Sequence, residues 1–277
     1  MKKRCALLMA AVLMLLSLSA CSNSADEAQT TAETEIIVFA AASMTETLTE
    51  IKGLYEAANP GVTITCNFDS SGTLKTQIAE GADCDLFISA GQKQMNQLDI
   101  NADASVNTEG LDYVVADSRI NLLENKVALV TSNDSTADIK SFDDLAAALQ
   151  AGTVLLAMGN GDVPVGQYTS KILTYYGLSE EELAAAGCLT YGSNVKEVTT
   201  QVSESTVDYG VVYATDAFSA GLTVLDTATK EMCGQVIYPA SVLKTAKNPE
   251  AAQAFLDYLT GDEADAVFAA VGFTPID

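Results

Sequence analysis

Apolar positions in this chain gather into short continuous runs, each followed by a stretch at helical spacing. Residues 36–41 (IIVFAA) are unbroken apolar sequence, the pattern of a strand covered on both faces. Beyond them Met44, Leu48, Ile51, Tyr55 and Ala58 recur at the period of a helix, which Asn59-Pro60-Gly61 stops. The order of strand, turn and helix then returns. Residues 62–68 are a second strand, Asp69-Ser70-Ser71-Gly72 a turn, and Leu74 and Ile78 mark a short helix ended by Gly81. DLFISA, residues 85–90, is a third strand. This repetition predicts a mainly parallel sheet with helices on its faces, in which ligands sit at the carboxyl ends of the strands.

A second series starts at KVALVT, residues 126–131. It continues with a helix over 142–151, a strand over 154–158, the loop GNGDVPVG, and a helix from Pro164 to Tyr176 that Gly177 caps. Ser179-x-x-Glu182 and Asn194-x-x-Glu197 open two further helices. DYGVVYA, residues 208–214, is a strand ending near Tyr213, residues 236–242 form another, and helices over 249–260 and 262–271 close the chain.

The N-terminus departs from this pattern. MKKR is followed by an apolar stretch from Cys5 to Leu18 and then Leu18-Ser19-Ala20-Cys21. That is a secretory signal over residues 1–20, too short for an ordinary membrane span. The ending is similar to the bacterial lipobox, which makes Cys21 the expected lipid attachment site and the protein extracytoplasmic, tied to the cell membrane through that lipid. Residues 21–35 are polar, with nothing to bury, and read as a flexible tether. Roughly 240 residues remain, enough for one large domain or two lobes.

Composition narrows the chemistry. A formal charge of −23 disfavours nucleic acid and anionic lipid as partners, and any anion site must overcome that field with local dipoles. The chain has no histidine, which removes Ser-His and Cys-His hydrolases and His-ligated zinc. Cys66, Cys84, Cys188 and Cys233 are too far apart for a CxxC motif. In an exported protein they are compatible with disulfides, Cys66 to Cys84 being the first pair to test, or equally with buried free thiols.

Ser43-Met44-Thr45-Glu46 reads as a capping box, and Ser71, Val165 and Val195 also lie at or beside expected helix starts. A helix N-terminus offers unpaired N–H groups and partial positive charge. Several aimed at one point would bind an anion without Arg or Lys. For any one of these serines taken alone, capping is the commoner role.

Taken together, VFAAASMTETL (38–48), residues 67–98 with their SSGTL and DLFISA segments, GDVPVGQY (161–168) and DYGVVYATDA (208–217) resemble the molybdate-binding proteins of bacterial ABC importers. The resemblance implies a type II periplasmic-binding-protein fold: two α/β lobes joined by two crossover strands, with residues 36–124 plus 237–277 in lobe one and 125–236 in lobe two. It implies hydroxyl donors at Ser43 and Ser71, backbone N–H donors at Val165 and Val195, and the phenol of Tyr213. Ser70 beside Ser71 leaves a one-residue ambiguity, and Asp69 is expected to face away from an anion. Molybdate or tungstate would be held as a bare dianion, with no direct protein ligand to the metal and no cofactor. An ABC permease with its ATPase would be the partner of a monomeric binding protein. Such a site, made only of donors, penalises oxyanions that carry a proton.

Other readings remain. The same fold could hold sulfate, or ferric ion if Tyr175-Tyr176 were ligands rather than packing. GDVPVG has the spacing of a phosphate loop but lacks its lysine. Ser193-x-x-Lys196 matches the S-x-x-K of serine acyl-enzymes, yet so does Ser241-x-x-Lys244, which shows how cheaply that pattern arises.

Overall fold

The computed structural model describes residues 33–136 and 138–276. The signal segment, Cys21 and nearly all of the tether lie outside the described residues.

The elements alternate much as the apolar pattern implies. β1 (Thr34–Ala41), α1 (Thr45–Ala58), β2 (Val62–Asp69), α2 (Ser71–Ala79), β3 (Leu86–Ile88) and α3 (Gln92–Asn96) come first, and β4 (Ile120–Asn125) follows a long connection. β5 (Val127–Thr131), α4 (Phe142–Ala151), β6 (Leu156–Gly159), α5 (Pro164–Tyr175), α6 (Glu180–Ala185), β7 (Leu189–Gly192), α7 (Val195–Ser203), β8 (Tyr209–Tyr213), α8 (Ala214–Ser219) and β9 (Thr223–Thr227) make the middle of the chain. α9 (Lys230–Cys233), β10 (Val236–Val242), α10 (Pro249–Tyr258), α11 (Asp262–Val271) and β11 (Thr274–Pro275) complete it. β1 begins at Thr34, so the strand includes two residues expected in the tether. β4, β7, β9 and β11 were not marked by the apolar pattern, being short or only partly buried.

The strands form two sheets, in the orders β11-β4-β10-β3-β1-β2 and β7-β6-β8-β5-β9. Each sheet is mixed rather than mainly parallel. β1 pairs in parallel with β2 and β3, and β6 with β7 and β8, because helices return the chain to the same end between them. β10 runs antiparallel to β3 and β4, and β5 antiparallel to β8 and β9. The chain leaves the first sheet through β4 and enters the second at β5 after Lys126 alone, then returns from β9 through α9 to β10. The result is two α/β lobes linked by two crossings.

β1 shows why its sequence is apolar throughout. It lies between β3 and β2, and alternate residues face opposite layers. Ile36, Val38 and Ala40 pack with Leu48 and Ile51 of α1, while Phe39 packs with Leu74 and Ile78 of α2 and Phe87 of β3. Each such large side chain contributes about 1.5–3 kcal/mol by leaving water.

That strand order also corrects the disulfide expectation. Cys66 lies on β2 and Cys84 just before β3, with β1 between them. Two strand spacings are about 9.5 Å, beyond the roughly 7 Å that a disulfide spans between Cα atoms. All four cysteines in the described residues are free thiols, and the Cys84 Sγ–H donates to the Leu86 carbonyl at 3.3 Å. Burial is the main reason the thiol of Cys66 rises to about 11.

Candidate functional site

The carboxyl end of β1 opens on a small cavity with about 200 Å³ of atom-free space, open solvent included. Ala41, Ala42, Ser43, Asp69, Ser70, Ser71 and Ala90 line it from the first lobe. Val163, Pro164, Val195 and Tyr213 line it from the second. Four of the five residues expected at an anion site therefore meet at one place. Val165 is fully buried and does not itself line the cavity.

Ser43 is not a helix cap. A single 3-10 turn, Ala42–Met44, is inserted between β1 and α1, and neither that turn nor α1 has a side-chain cap. Ser43 sits inside the turn with its Oγ 2.9 Å from Tyr238 Oη. Glu46, the other half of the expected capping box, reaches instead to Lys196. The small Ala41 and Ala42 let the backbone make this extra turn within the buried layer, where both are nearly inaccessible.

The Ser70–Ser71 pair divides two tasks. Ser70 caps α2: its Oγ accepts the Thr73 N–H at 3.1 Å. Ser71, at the first helical position, accepts the Ala90 N–H on its Oγ at 2.9 Å. One lone pair of Ser71 is thereby occupied by a donor, and its hydroxyl hydrogen is left to serve as one. Asp69 does not face wholly away. It is part of the lining, with Oδ1 accepting its neighbour's N–H from Ser70 at 2.6 Å.

The opposite wall is built from helix starts. Pro164 is the first residue of α5 and Val165 the second; Val195 is the first residue of α7. N–H groups in a helix's first turn have no intrahelical acceptor, and they carry the positive end of the dipole. Asn194 caps α7 by accepting the Glu197 N–H at 3.1 Å, and the Glu197 carboxylate accepts the Ser193 N–H at 2.6 Å. Gly166 is required here: a Cβ would strike the carbonyls of Gly159 and Asn160.

Tyr213 ends β8 and is almost inaccessible, its Oη donating to the Ala90 carbonyl of the other lobe at 3.3 Å. Burial, then the neighbouring Tyr238, Tyr168 and Asp216, hold its pKa well above the usual phenol value. It therefore stays protonated and a donor. Asp69 is the sole charged residue in the lining, and no Lys or Arg belongs to it.

The two lobes touch around the cavity. A Cβ on Gly72 would collide with the Asp162 carbonyl, so α2 and the loop before α5 meet backbone to backbone. Lys196, next to Val195, lies 2.8 Å from Glu46 of the first lobe and 3.2 Å from Asp216 of its own. Asp216 is fully buried, and neither of its oxygens receives a well-aligned hydrogen bond. Burial drives its pKa up to about 6 against the opposing pull of Lys196. Burial by itself would lower the pKa of Lys196, but Asp216 and Glu46 outweigh it and raise the value.

This geometry disposes of the acyl-enzyme reading. Ser193 Oγ donates to Glu197 at 2.8 Å, whereas Lys196 is held protonated by two carboxylates and is no general base for it. Tyr175 is exposed, Tyr176 donates to Asp143, and neither lines the cavity. Three participants were not singled out from sequence as partners of the site: Tyr238, Asn125 and Asp216. A tyrosine in an apolar strand reads as core, and its neighbours come from distant segments.

Comparison with known proteins agrees with the fold. Residues 36–274 match the family model described as bacterial extracellular solute-binding protein. YvgL of Bacillus subtilis, assigned by name to the ABC transporter substrate-binding lipoproteins, is 31% identical over 276 residues, covering 99% of each chain. The molybdate-binding protein ModA of Escherichia coli is 32% identical over 249 residues, 87% of this chain and 90% of its own. A solved substrate-binding domain assigned to a molybdenum ABC transporter of Clostridium difficile superposes with a TM-score of 0.62 at 31% identity, covering 88% of this chain and all of that one. With the family model matched along nearly the whole folded region, and the cavity between two α/β lobes, the chain belongs to the bacterial extracellular solute-binding proteins.

Proposed function

We propose that this protein is the substrate-binding component of an ABC importer and that its cavity takes molybdate or tungstate as a bare tetrahedral dianion. Ser43 and Ser71 would donate hydroxyl hydrogens, Tyr213 would turn its own from the Ala90 carbonyl to the anion, and the first turns of α5 and α7, at Val165 and Val195, would donate backbone N–H groups. The lobes, divided into 36–124 plus 237–277 and 125–236, would open and close about the two crossings, the first carrying two of the five donors and the second three. The closed form would be what a permease and its ATPase receive, with Cys21 holding the protein to the membrane by its lipid.

The observation that carries this reading is the meeting of Ser43, Ser71, Tyr213 and Val195 at one cavity that holds no cationic side chain. Hydroxyl and amide donors satisfy a dianion's oxygens, and the one carboxylate of the lining, Asp69, already accepts the Ser70 N–H on Oδ1. The names of the E. coli and C. difficile relatives support the choice of oxyanion.

Thermal unfolding of the protein with molybdate, tungstate, sulfate and phosphate in turn tests it. A ligand at a hundred times its dissociation constant should stabilise the fold by about 2.7 kcal/mol. Stabilisation by molybdate and tungstate is the expected result. A shift with sulfate alone would reassign the ligand, and no shift with any oxyanion would sink the reading.

A further inference from the structure

Beside the cavity, at the point where the chain crosses between lobes, lies a buried polar chain that the donor list does not use. Asn125 ends β4, Tyr238 lies in β10 and Thr215 in α8, and all three are at most 3% exposed. No bulk water competes for their hydrogen bonds, so the donors and acceptors present constrain their directions.

The Lys126 backbone N–H donates to Asn125 Oδ1 at 2.8 Å, which fixes the carbonyl end of that amide. Its other end is then the NH2 group, whose hydrogens go to Thr215 Oγ1 at 2.9 Å and to Tyr238 Oη at 3.2 Å. Tyr238 Oη is thus already accepting, and it has one hydrogen of its own to place. Ser43 Oγ is 2.9 Å away. A hydrogen donated there occupies a lone pair of Ser43 and leaves the Ser43 hydrogen pointing to the cavity. Ser71 is set the same way by the Ala90 N–H.

From these directions we infer that Asn125 and Tyr238 are positioning residues that polarise Ser43 as a donor, and so bar oxyanions that carry a proton. The inference rests on the proposed oxyanion function and adds to it the residues that enforce the choice between bare and protonated anions. Without the phenol, the Ser43 hydroxyl can turn and accept, and a protonated oxyanion then finds the acceptor it needs.

The test compares molybdate with arsenate, which keeps at least one proton throughout the neutral range. In Tyr238→Phe the ratio of molybdate to arsenate affinity should fall by about tenfold or more, the weight of one hydrogen bond to a charged group. In a Ser43→Ala background the same substitution should leave that ratio within about twofold, because the group it acts through is gone. Equal weakening of both anions by Tyr238→Phe would mean a purely structural role and overturn the inference. Absence of molybdate and tungstate binding by the unaltered protein would instead overturn the proposed function. If Tyr238→Phe fails to fold, neutron diffraction from the unaltered protein decides: the Tyr238 deuterium directed at Ser43 supports the inference. The same deuterium directed at Tyr213, whose ring centroid is 5.6 Å away, or at Asn125 overturns it.

Discussion

The two walls of the cavity are made from different materials. The first lobe presents side-chain hydroxyls, Ser43 and Ser71, each with a neighbouring polar group bonded to its oxygen. The second presents the starts of two helices, α5 and α7, and one phenol. Hydroxyl donors can be removed by deleting one oxygen atom. Amide donors belong to the backbone and persist through most substitutions, which is why valine can stand at a polar site. The hydroxyl wall is therefore specified residue by residue, and the amide wall by the position of its helices.

Removing the whole hydroxyl wall gives the largest effect. Ser43→Ala combined with Ser71→Ala should weaken molybdate binding by about 3–6 kcal/mol, two hydrogen bonds to a charged group, as read by titration calorimetry. A loss below tenfold would mean that the amide wall binds the anion alone.

Beside the amide wall, Lys196 of α7 pairs with the buried Asp216 at 3.2 Å. A carboxyl group with its folded pKa raised to about 6 binds a proton that the unfolded chain, near 3.8, has already lost. Its contribution to stability is therefore full below about pH 4 and lost as the pH rises to about 6. Relative to the protein with Asp216→Asn, the unaltered protein should lose up to about 3 kcal/mol of stability across that window, measured by denaturant unfolding at each pH. A gap that stays constant with pH would show that Lys196 keeps Asp216 ionised throughout.

Val195→Pro addresses one amide directly. Proline suits the first helical position and removes only that N–H, so α7 should survive while molybdate affinity falls by about 2 kcal/mol. Unchanged affinity with an intact helix, checked by circular dichroism, would remove Val195 from the donor set. The smallest effect belongs to the contact joining the walls. Glu46→Gln should change ligand affinity by less than about 1 kcal/mol, and the difference should vanish at high salt, since Glu46 is half exposed.

How far the site could be read from the chain differs between the walls in the same way. The helix starts were legible: Pro164, Asn194 with Glu197, and Ser70 or Ser71 carry local signals that need only neighbours three residues away. The box at Ser43 to Glu46 carries the same signal, yet both of its side chains are drawn to partners elsewhere in the fold. Local capping lost there to a buried hydroxyl and to a cross-lobe ion pair. The disulfide expectation failed for a related reason: nearness of two strands in sequence did not say that β1 would lie between them.

The chain by itself determined the alternation of strands and helices, the burial of β1 on both faces, and the helix starts that carry amide donors, because each depends on interactions within a few residues. Only the tertiary structure decided that β5 and β10 run against their neighbours and that Lys196 spans two lobes. The tertiary structure alone also linked Ser43 to Tyr238 and Asn125. Those contacts join residues more than a hundred positions apart, and no local preference encodes which of them will meet.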